Sequence, residues 1–184
     1  MHHHFTYSES ERRTRQNPEA ILAATGLKKG MCFMDIGAND GFFTLPAARI
    51  VGDSGSVIAI DIDADALARL QKKLEDEQLT HATLITSAAE DIRLDDVQAD
   101  VIFFGIVLHD FYDPLTVLKN AKHMLKEHGI IYNYDWRKHA GSYGPPMEKR
   151  LSRAQVKDLA QEAGLTVTSS TILDDHVYAM TLTR

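Results

Sequence analysis

An apolar run, Phe33-Met34-Asp35-Ile36, breaks at Gly37-Ala38-Asn39-Asp40-Gly41 and reopens into Phe42-Phe43 and a helix-forming segment. That break does most to limit what this chain can fold into. A strand that ends in a small-residue turn and feeds a helix belongs to a parallel crossover unit, because parallel strands need a helix-sized connection. A second apolar run, Val57-Ile58-Ala59-Ile60, ends in Asp61. The acid follows the turn by about 20 residues, the spacing at which a carboxylate reaches a ribose hydroxyl in a doubly wound sheet. The two features together predict a nucleoside-cofactor site.

The alternation continues along the chain. Strands are expected over 31–37, 56–62, 82–87, 99–106 and 129–136, and helices over about 42–51, 64–78 and 114–126, which reads as an α/β fold with a mostly parallel sheet. Leu67, Leu70 and Leu74 give the second crossover helix its apolar stripe, and Leu118, Ala121 and Leu125 do the same for the third. Pro46 leaves two readings of the first: a kinked helix, or one that begins properly only after Thr44. Asn17-Pro18 starts a short helix of about two turns that stops near Gly26. Ser152-Arg153-Ala154-Gln155 is a capping box, with Gly164 as the stop. The runs Thr166 to Leu173 and Val177 to Thr183 flank Asp174-Asp175-His176, so the sheet is expected to end in an antiparallel hairpin.

A chain of 184 residues supports one domain with a proper core, here with an N-terminal appendage over 1–29. Residues 137–151 contain Gly141, Gly144, Pro145 and Pro146 and little periodicity, as a substrate-binding loop would. Hydrophobic residues at 44% and charged residues at 25% are ordinary globular values. The apolar stretch from Val101 to Leu108 is far short of the roughly 20 residues of a bilayer span. A lone cysteine, Cys32, excludes a disulfide framework and points to a reducing cytoplasm. The net charge of −6 argues against a broad grip on nucleic acid. The local basic clusters, Arg12, Arg13 and Arg15, and Lys149, Arg150 and Arg153, read first as solvated faces. The histidines are scattered without metal-ligand spacing, so no metal site is expected. His2, His3 and His4 are set aside as a possible tag.

Four segments carry a resemblance beyond the first turn: Asp35 through Gly41, Asp61, Ser87-Ala88-Ala89-Glu90-Asp91, and Asp100 through Asp113-Pro114 with its Leu108-His109-Asp110 core. On them, the chain from roughly Gly30 to Arg184 resembles the class I S-adenosylmethionine-dependent methyltransferases, in particular the compact small-molecule branch related to quinone-biosynthesis enzymes. The resemblance implies a Rossmann-like, doubly wound sheet of seven strands in the order 3-2-1-4-5-7-6, with the last strand antiparallel. It also implies S-adenosyl-L-methionine as cofactor and a small molecule as methyl acceptor.

The same resemblance distributes roles. Gly37, with Ala38 and Asn39, would let the backbone approach the methionine part of the cofactor. Asp35 and a carbonyl near Gly105 would serve its ammonium, and Phe43 is counted among the cofactor-binding residues. Asp61 would take the ribose hydroxyls and Ile62 the adenine face, with Ala89, Glu90 and Asp91 closing the other side. Two positions depart from the family pattern: Asn39 replaces the central glycine, and Ala88 stands where many relatives carry an acid. His109 and Asp110 are the candidate catalytic residues, with Tyr112 and Asp135 behind them, should the acceptor need a base. Trp136 and Tyr143 are candidate pocket walls, and Arg12, Arg13 and Arg137 candidate anion holders. Two rival readings remain: a module that binds S-adenosylmethionine without methylating, and an NAD-dependent oxidoreductase, since a glycine turn plus a downstream acid also describes that site.

Overall fold

The computed structural model describes residues 9–139 and 144–184, with side chains from Arg12 onward. Its strands are β1 (Cys32–Ile36), β2 (Ser56–Asp61), β3 (Ala82–Thr86), β4 (Ala99–Gly105), β5 (Leu125–Trp136), β6 (Thr166–Ile172) and β7 (Val177–Thr183). They form one sheet in the order β3-β2-β1-β4-β5-β7-β6, the order expected from the resemblance. The first five pair in parallel, and β7 runs antiparallel to both β5 and β6.

The helices are α1 (Glu9–Arg15), α2 (Pro18–Ala24), α3 (Thr44–Val51), α4 (Ala64–Asp76), α5 (Pro114–His123) and α6 (Arg153–Glu162). Strand alternation sends Met34, Ile36, Ile102, Phe104 and Ile131 to one face, where Val117, Leu118, Val156 and Ala160 of α5 and α6 cover them. Phe33, Val57, Phe103, Tyr132 and Tyr134 go to the other, under Leu22, Ala48, Leu67 and Leu70 of α2, α3 and α4. Burying each large side chain stabilises the sandwich by about 1.5–3 kcal/mol. Both faces of the central strands are therefore dry, which leaves the strand ends open to a ligand.

The two readings of Pro46 are resolved: α3 begins at Thr44, which puts Pro46 in the first turn, where a missing N–H costs nothing. The helix expected over 114–126 stops earlier. The Met124 carbonyl accepts from the Ala99 N–H at 2.8 Å, and Leu125 already pairs with Ala99, so the sheet takes the chain before the leucine stripe is complete. The register then shifts between Ala99 and Val101, which accommodates Lys126 to Gly129 before Ile130 rejoins the ladder. Helix α1 was not foreseen at all. The expected hairpin is closed by Asp174, whose Oδ1 accepts from the N–H of His176 at 2.6 Å and of Val177 at 2.9 Å.

Part of the 137–151 segment is pinned down. Arg150 is 3% exposed, which corrects its reading as part of a solvated face. Its Nε donates to the Pro145 carbonyl at 2.8 Å and its Nη1 to the Arg137 carbonyl at 3.0 Å, while the guanidinium lies 5.9 Å from the Trp136 ring centroid. Trp136 is itself buried beneath it. Gly141 and Tyr143 lie outside the described residues.

Candidate cofactor and acceptor site

The carboxyl ends of β1, β2 and β4 meet at one edge. Gly37 and Ala38 turn there by donating both N–H groups to the Ile60 carbonyl, at 2.8 and 3.0 Å, which couples the end of β1 to the end of β2. Gly37 has φ +84°, and a Cβ on it would stand 2.5 Å from Val107 Cγ2. Only glycine fits. Asn39 takes the left-handed conformation that its position demands, with φ +48°, and its Oδ1 accepts from the Asp40 N–H at 2.7 Å, folding part of the side chain back onto its own turn.

Asp61 organises the ring of backbone around it. Its Oδ2 accepts from the Asn39 N–H at 2.7 Å and its Oδ1 from the Asp63 N–H at 2.9 Å, so the carboxylate is held at the mouth of the turn in a fixed orientation. Beside it Ile62 is 73% exposed, an apolar side chain that the described residues leave uncovered. An isoleucine left open next to a fixed carboxylate suits a ligand with a flat apolar face joined to a polyol.

Asp35 lies beneath the turn, 1% exposed, with Oδ2 accepting from the Thr44 hydroxyl at 2.6 Å. Burial pushes its carboxyl up to about 7; the Thr44 hydrogen bond opposes that rise, the charge of Asp61 adds to it and Arg12 opposes it. Arg12 reaches this region from α1. Its guanidinium sits 3.9 Å from the Phe42 ring centroid and its Nε donates to Gln16 Oε1 at 3.0 Å. It is a packed cation rather than part of a solvated face.

Other expected residues take different places. Phe43 is 3% exposed and packs at 4.7 Å from the Phe103 ring centroid, and its ring occupies the space that a Cβ on Gly105 would need. It supports the site from inside the core. Glu90 Oε1 accepts from the Asp113 N–H at 3.1 Å and its carbonyl accepts from Asn120 Nδ2 at 2.7 Å, so Glu90 ties its loop to the start of α5. Ala89 is buried under it, while Asp91 is exposed.

Beyond β4 the backbone turns sharply. Ile106 has φ +60°, a conformation that costs a β-branched residue about 1–3 kcal/mol, and its N–H donates to the Tyr134 carbonyl at 2.7 Å. The turn lays Val107 on Gly37 and delivers Leu108–Asp110 as a short 3-10 turn. His109 Nδ1 and Asp135 Oδ1 are 2.7 Å apart, with the two side chains 2% and 1% exposed. Asp135 also accepts from the Trp136 N–H at 2.8 Å. The other ring nitrogen, Nε2, stands 3.4 Å from the half-exposed Asp110 carboxylate. Burial alone would lower the imidazole pKa, but the hydrogen bond and charge of Asp135 and the charge of Asp110 outweigh it and hold His109 above its usual value, against Lys149.

Thr44 was missed by the sequence reading, and Asp135 appeared there only as a trailing candidate. Neither has a local signal, since Thr44 is 9 positions from Asp35 and Asp135 is 26 from His109. Among the described residues, no group of three or more His, Cys, Asp or Glu side chains could hold a metal ion. No helix among them is long and apolar enough to cross a membrane.

A strand-end site with a glycine turn, a fixed carboxylate on the neighbouring strand and an open apolar residue beside it defines a protein of the nucleoside-cofactor class. The family model described as "Methyltransferase domain" matches residues 27–180, and the chain belongs to that family. It is 28% identical over 66% of its length to a demethylmenaquinone methyltransferase of Geobacillus sp. (strain WCH70), covering 52% of that protein. It thus spans about half the length of the curated relatives it matches. A solved S-adenosylmethionine-dependent methyltransferase from Aquifex aeolicus superposes with a TM-score of 0.86 at 26% identity, covering 96% of this chain and 98% of that one. The fold is shared with an O-methyltransferase of neocarzinostatin biosynthesis solved with S-adenosyl-L-homocysteine and 1,4-dihydroxy-2-naphthoic acid, with a TM-score of 0.76 at 18% identity over 95% of this chain and 55% of that one. The cofactor of the class is S-adenosylmethionine, and the nicotinamide reading is set aside.

Proposed function

We propose that this protein binds S-adenosylmethionine at the carboxyl edge of β1, β2 and β4 and transfers its methyl group to a small-molecule acceptor. The observation that carries the reading is Asp61, fixed by two backbone N–H groups beside the exposed Ile62. The residues fit the cofactor. Asp61 would accept from the ribose hydroxyls, Ile62 would lie on one face of the adenine, and the loop at Ala88, Ala89 and Asp91 would close the other. The bare Gly37 backbone would lie along the methionine portion, with Asp35 offering negative charge to the ammonium.

Bound there, the cofactor supplies a methyl group already activated by its sulfonium. What is left to the protein is to hold the acceptor in line with that methyl and keep water away. His109 and Asp110, one turn beyond β4, stand on the acceptor side. The reading includes a cytoplasmic enzyme of one domain, with 137–151 contributing to the acceptor pocket.

Calorimetric titration with S-adenosylmethionine and with NAD tests it. Saturable binding of the first and none of the second is expected. Asp61→Ala should weaken S-adenosylmethionine binding by roughly 10- to 100-fold, the worth of a charge-assisted hydrogen bond. Because Asp61 also anchors the turn, Asp61→Asn is the milder companion. Unchanged affinity in both, or preferential NAD binding, would show that the cofactor site has been misplaced.

A further inference from the structure

We infer that the protein carries a second small-molecule site, at the amino edge of the sheet, and that its ligand is a small organic carboxylate with a short apolar body. The site lies at the opposite ends of the strands that carry Gly37 and Asp61, so it stands apart from the methyltransferase reading.

The edge is built from residues that precede three parallel strands. Lys29 comes just before β1, Gly52 to Gly55 before β2, and Leu79 to His81 before β3, while Ala48 to Ile50 belong to the last turn of α3. Together they line a cleft of about 550 Å³, within the roughly 300–1,000 Å³ of small-molecule sites. Its walls are tied to one another. The Gly30 N–H donates to the Val51 carbonyl, the Gly55 N–H to the Gly52 carbonyl and the Val57 N–H to the His81 carbonyl, each at 2.9 Å. Strands of 5 and 6 residues separate this cleft from Gly37 and Asp61 by about 15–20 Å.

His81 is the group that asks for a ligand. Its side chain is 9% exposed, and Nε2 stands 2.9 Å from the Ala48 carbonyl. A carbonyl only accepts, so Nε2 carries the hydrogen, and Nδ1 is the nitrogen that gains or loses a proton. Nδ1 is buried and has no hydrogen-bond partner among the described residues. Asp53 faces it from 3.7 Å, beyond hydrogen-bond reach, on a side chain that is wholly exposed and has no packing to keep it there. A buried ring nitrogen without a partner is destabilising both as a bare acceptor and as a charged donor.

The surroundings select what would relieve it. Lys29 is exposed and has no acid partner among the described residues, whereas Arg49 is engaged by Glu77, Nε to Oε2 at 2.7 Å. Ile50 and Leu79 supply an apolar wall. A carboxylate satisfies all of these: it accepts from Nδ1–H and from the Lys29 ammonium, and a short hydrocarbon body lies on Ile50 and Leu79. Asp53 turns out to water as the ligand enters. A divalent cation is disfavoured, because His81 and Asp53 lack a third ligating side chain and Lys29 repels it. The proton balance is definite. Nδ1 takes up one proton from solvent, no bond to carbon changes, and the imidazolium and ammonium face the carboxylate. With Lys29, Arg49, Asp53 and Glu77 as the charged groups around the ring, binding that protonates His81 strengthens as pH falls.

Calorimetry on the full chain with benzoate as the probe tests this, at pH 8, where histidine is ordinarily neutral, in two buffers of different ionisation heat. Saturable binding with proton uptake is expected, with benzamide, the uncharged isostere, at least about tenfold weaker. Benzoate affinity should be the same in the presence of S-adenosylmethionine. Lys29→Gln should weaken benzoate about three- to tenfold, and Asp53→Asn, which removes the competing carboxylate, should strengthen it about threefold. His81→Gln, whose amide still donates to Ala48, should abolish the proton uptake; should it fail to fold, the exposed Lys29 and Asp53 variants carry the test. No saturable binding up to about 10 mM, binding without proton uptake, equal binding of benzamide, displacement by S-adenosylmethionine, or an affinity unchanged in both Lys29→Gln and Asp53→Asn overturns the site.

Discussion

Asp35 offers the sharpest quantitative handle on this fold, because a carboxyl group sealed at the end of β1 makes stability depend on pH with a definite sign. Burial holds its carboxyl at about 7 in the folded protein against an ordinary 3.8, so between those values the native state holds a proton that the unfolded chain has released. Stability therefore falls as pH rises through that window, by about 1.4 kcal/mol per pH unit. The loss is complete above pH 7. A shift of this size corresponds to about 4 kcal/mol in all, a large part of the about 5–15 kcal/mol that holds a domain together.

Replacing Asp35 by Asn removes the ionisation and keeps the shape. The amide oxygen still accepts from Thr44, and the amide nitrogen, left without a designed partner, costs about 1–2 kcal/mol at every pH. The variant should match or fall slightly below the unaltered protein at pH 5 and exceed it by about 2–3 kcal/mol at pH 8. Urea unfolding at both pH values measures this directly. The difference between variant and parent isolates Asp35, since His109 and the surface groups titrate in both. If that difference is the same at pH 5 and pH 8 within 0.5 kcal/mol, roughly the precision of additivity, Asp35 is ionised throughout and the desolvation argument is wrong.

Two further substitutions test the geometry around the site. Gly37→Ala forces a Cβ into φ +84° and to 2.5 Å from Val107 Cγ2, so it should lower stability by about 1–3 kcal/mol in urea unfolding and weaken cofactor binding together; parental values for both would mean that the turn yields easily. Arg150→Ala leaves the Pro145 and Arg137 carbonyls without their donor and should cost about 1–3 kcal/mol, with Arg150→Lys recovering only part of it in thermal melts, because one ammonium cannot reproduce the two-armed geometry.

What could be read in advance followed the range of the forces involved. The turn at Gly37, the start of α6 at Ser152 and the close of the hairpin at Asp174 are decided within a few residues, by backbone conformation and by side chains bonding to their own neighbours. Such signals lie in consecutive letters. The strand order was available through the four matching segments, and the alternating pattern fixed which residues face which layer. Helix α5 was overrun because its leucine spacing continues past the point where Ala99 captures the chain, and the competing partner is absent from any local window. Glu90 shows the same limit at the site. An acid in the loop after β3 has the same letter whether it faces an adenine or receives the Asp113 N–H, and only the fold decides.

Asp35 and Asp135 are the two acids that a stability argument would remove. Each sits at the carboxyl end of a central strand, each is 1% exposed, and burying a carboxylate costs several kcal/mol unless hydrogen bonds and opposite charge offset it. Asp35 is only partly offset: one hydroxyl at 2.6 Å leaves its pKa near 7, which is the mark of a charge that lacks its counterpart. Asp135 is better compensated, by His109, whose outer nitrogen faces the half-exposed Asp110 carboxylate. Neither arrangement is what packing alone would choose. Asp35 makes sense at an edge where a cation would arrive, because the acid then completes its pairing when the ligand binds. The instability that Asp35 imposes on the empty protein is in that case the counterpart of affinity in the loaded one. Cofactor affinity should accordingly rise with pH up to about 7 as Asp35 ionises, and calorimetry on the unaltered protein and on Asp35→Asn would show the rise in the first and its absence in the second.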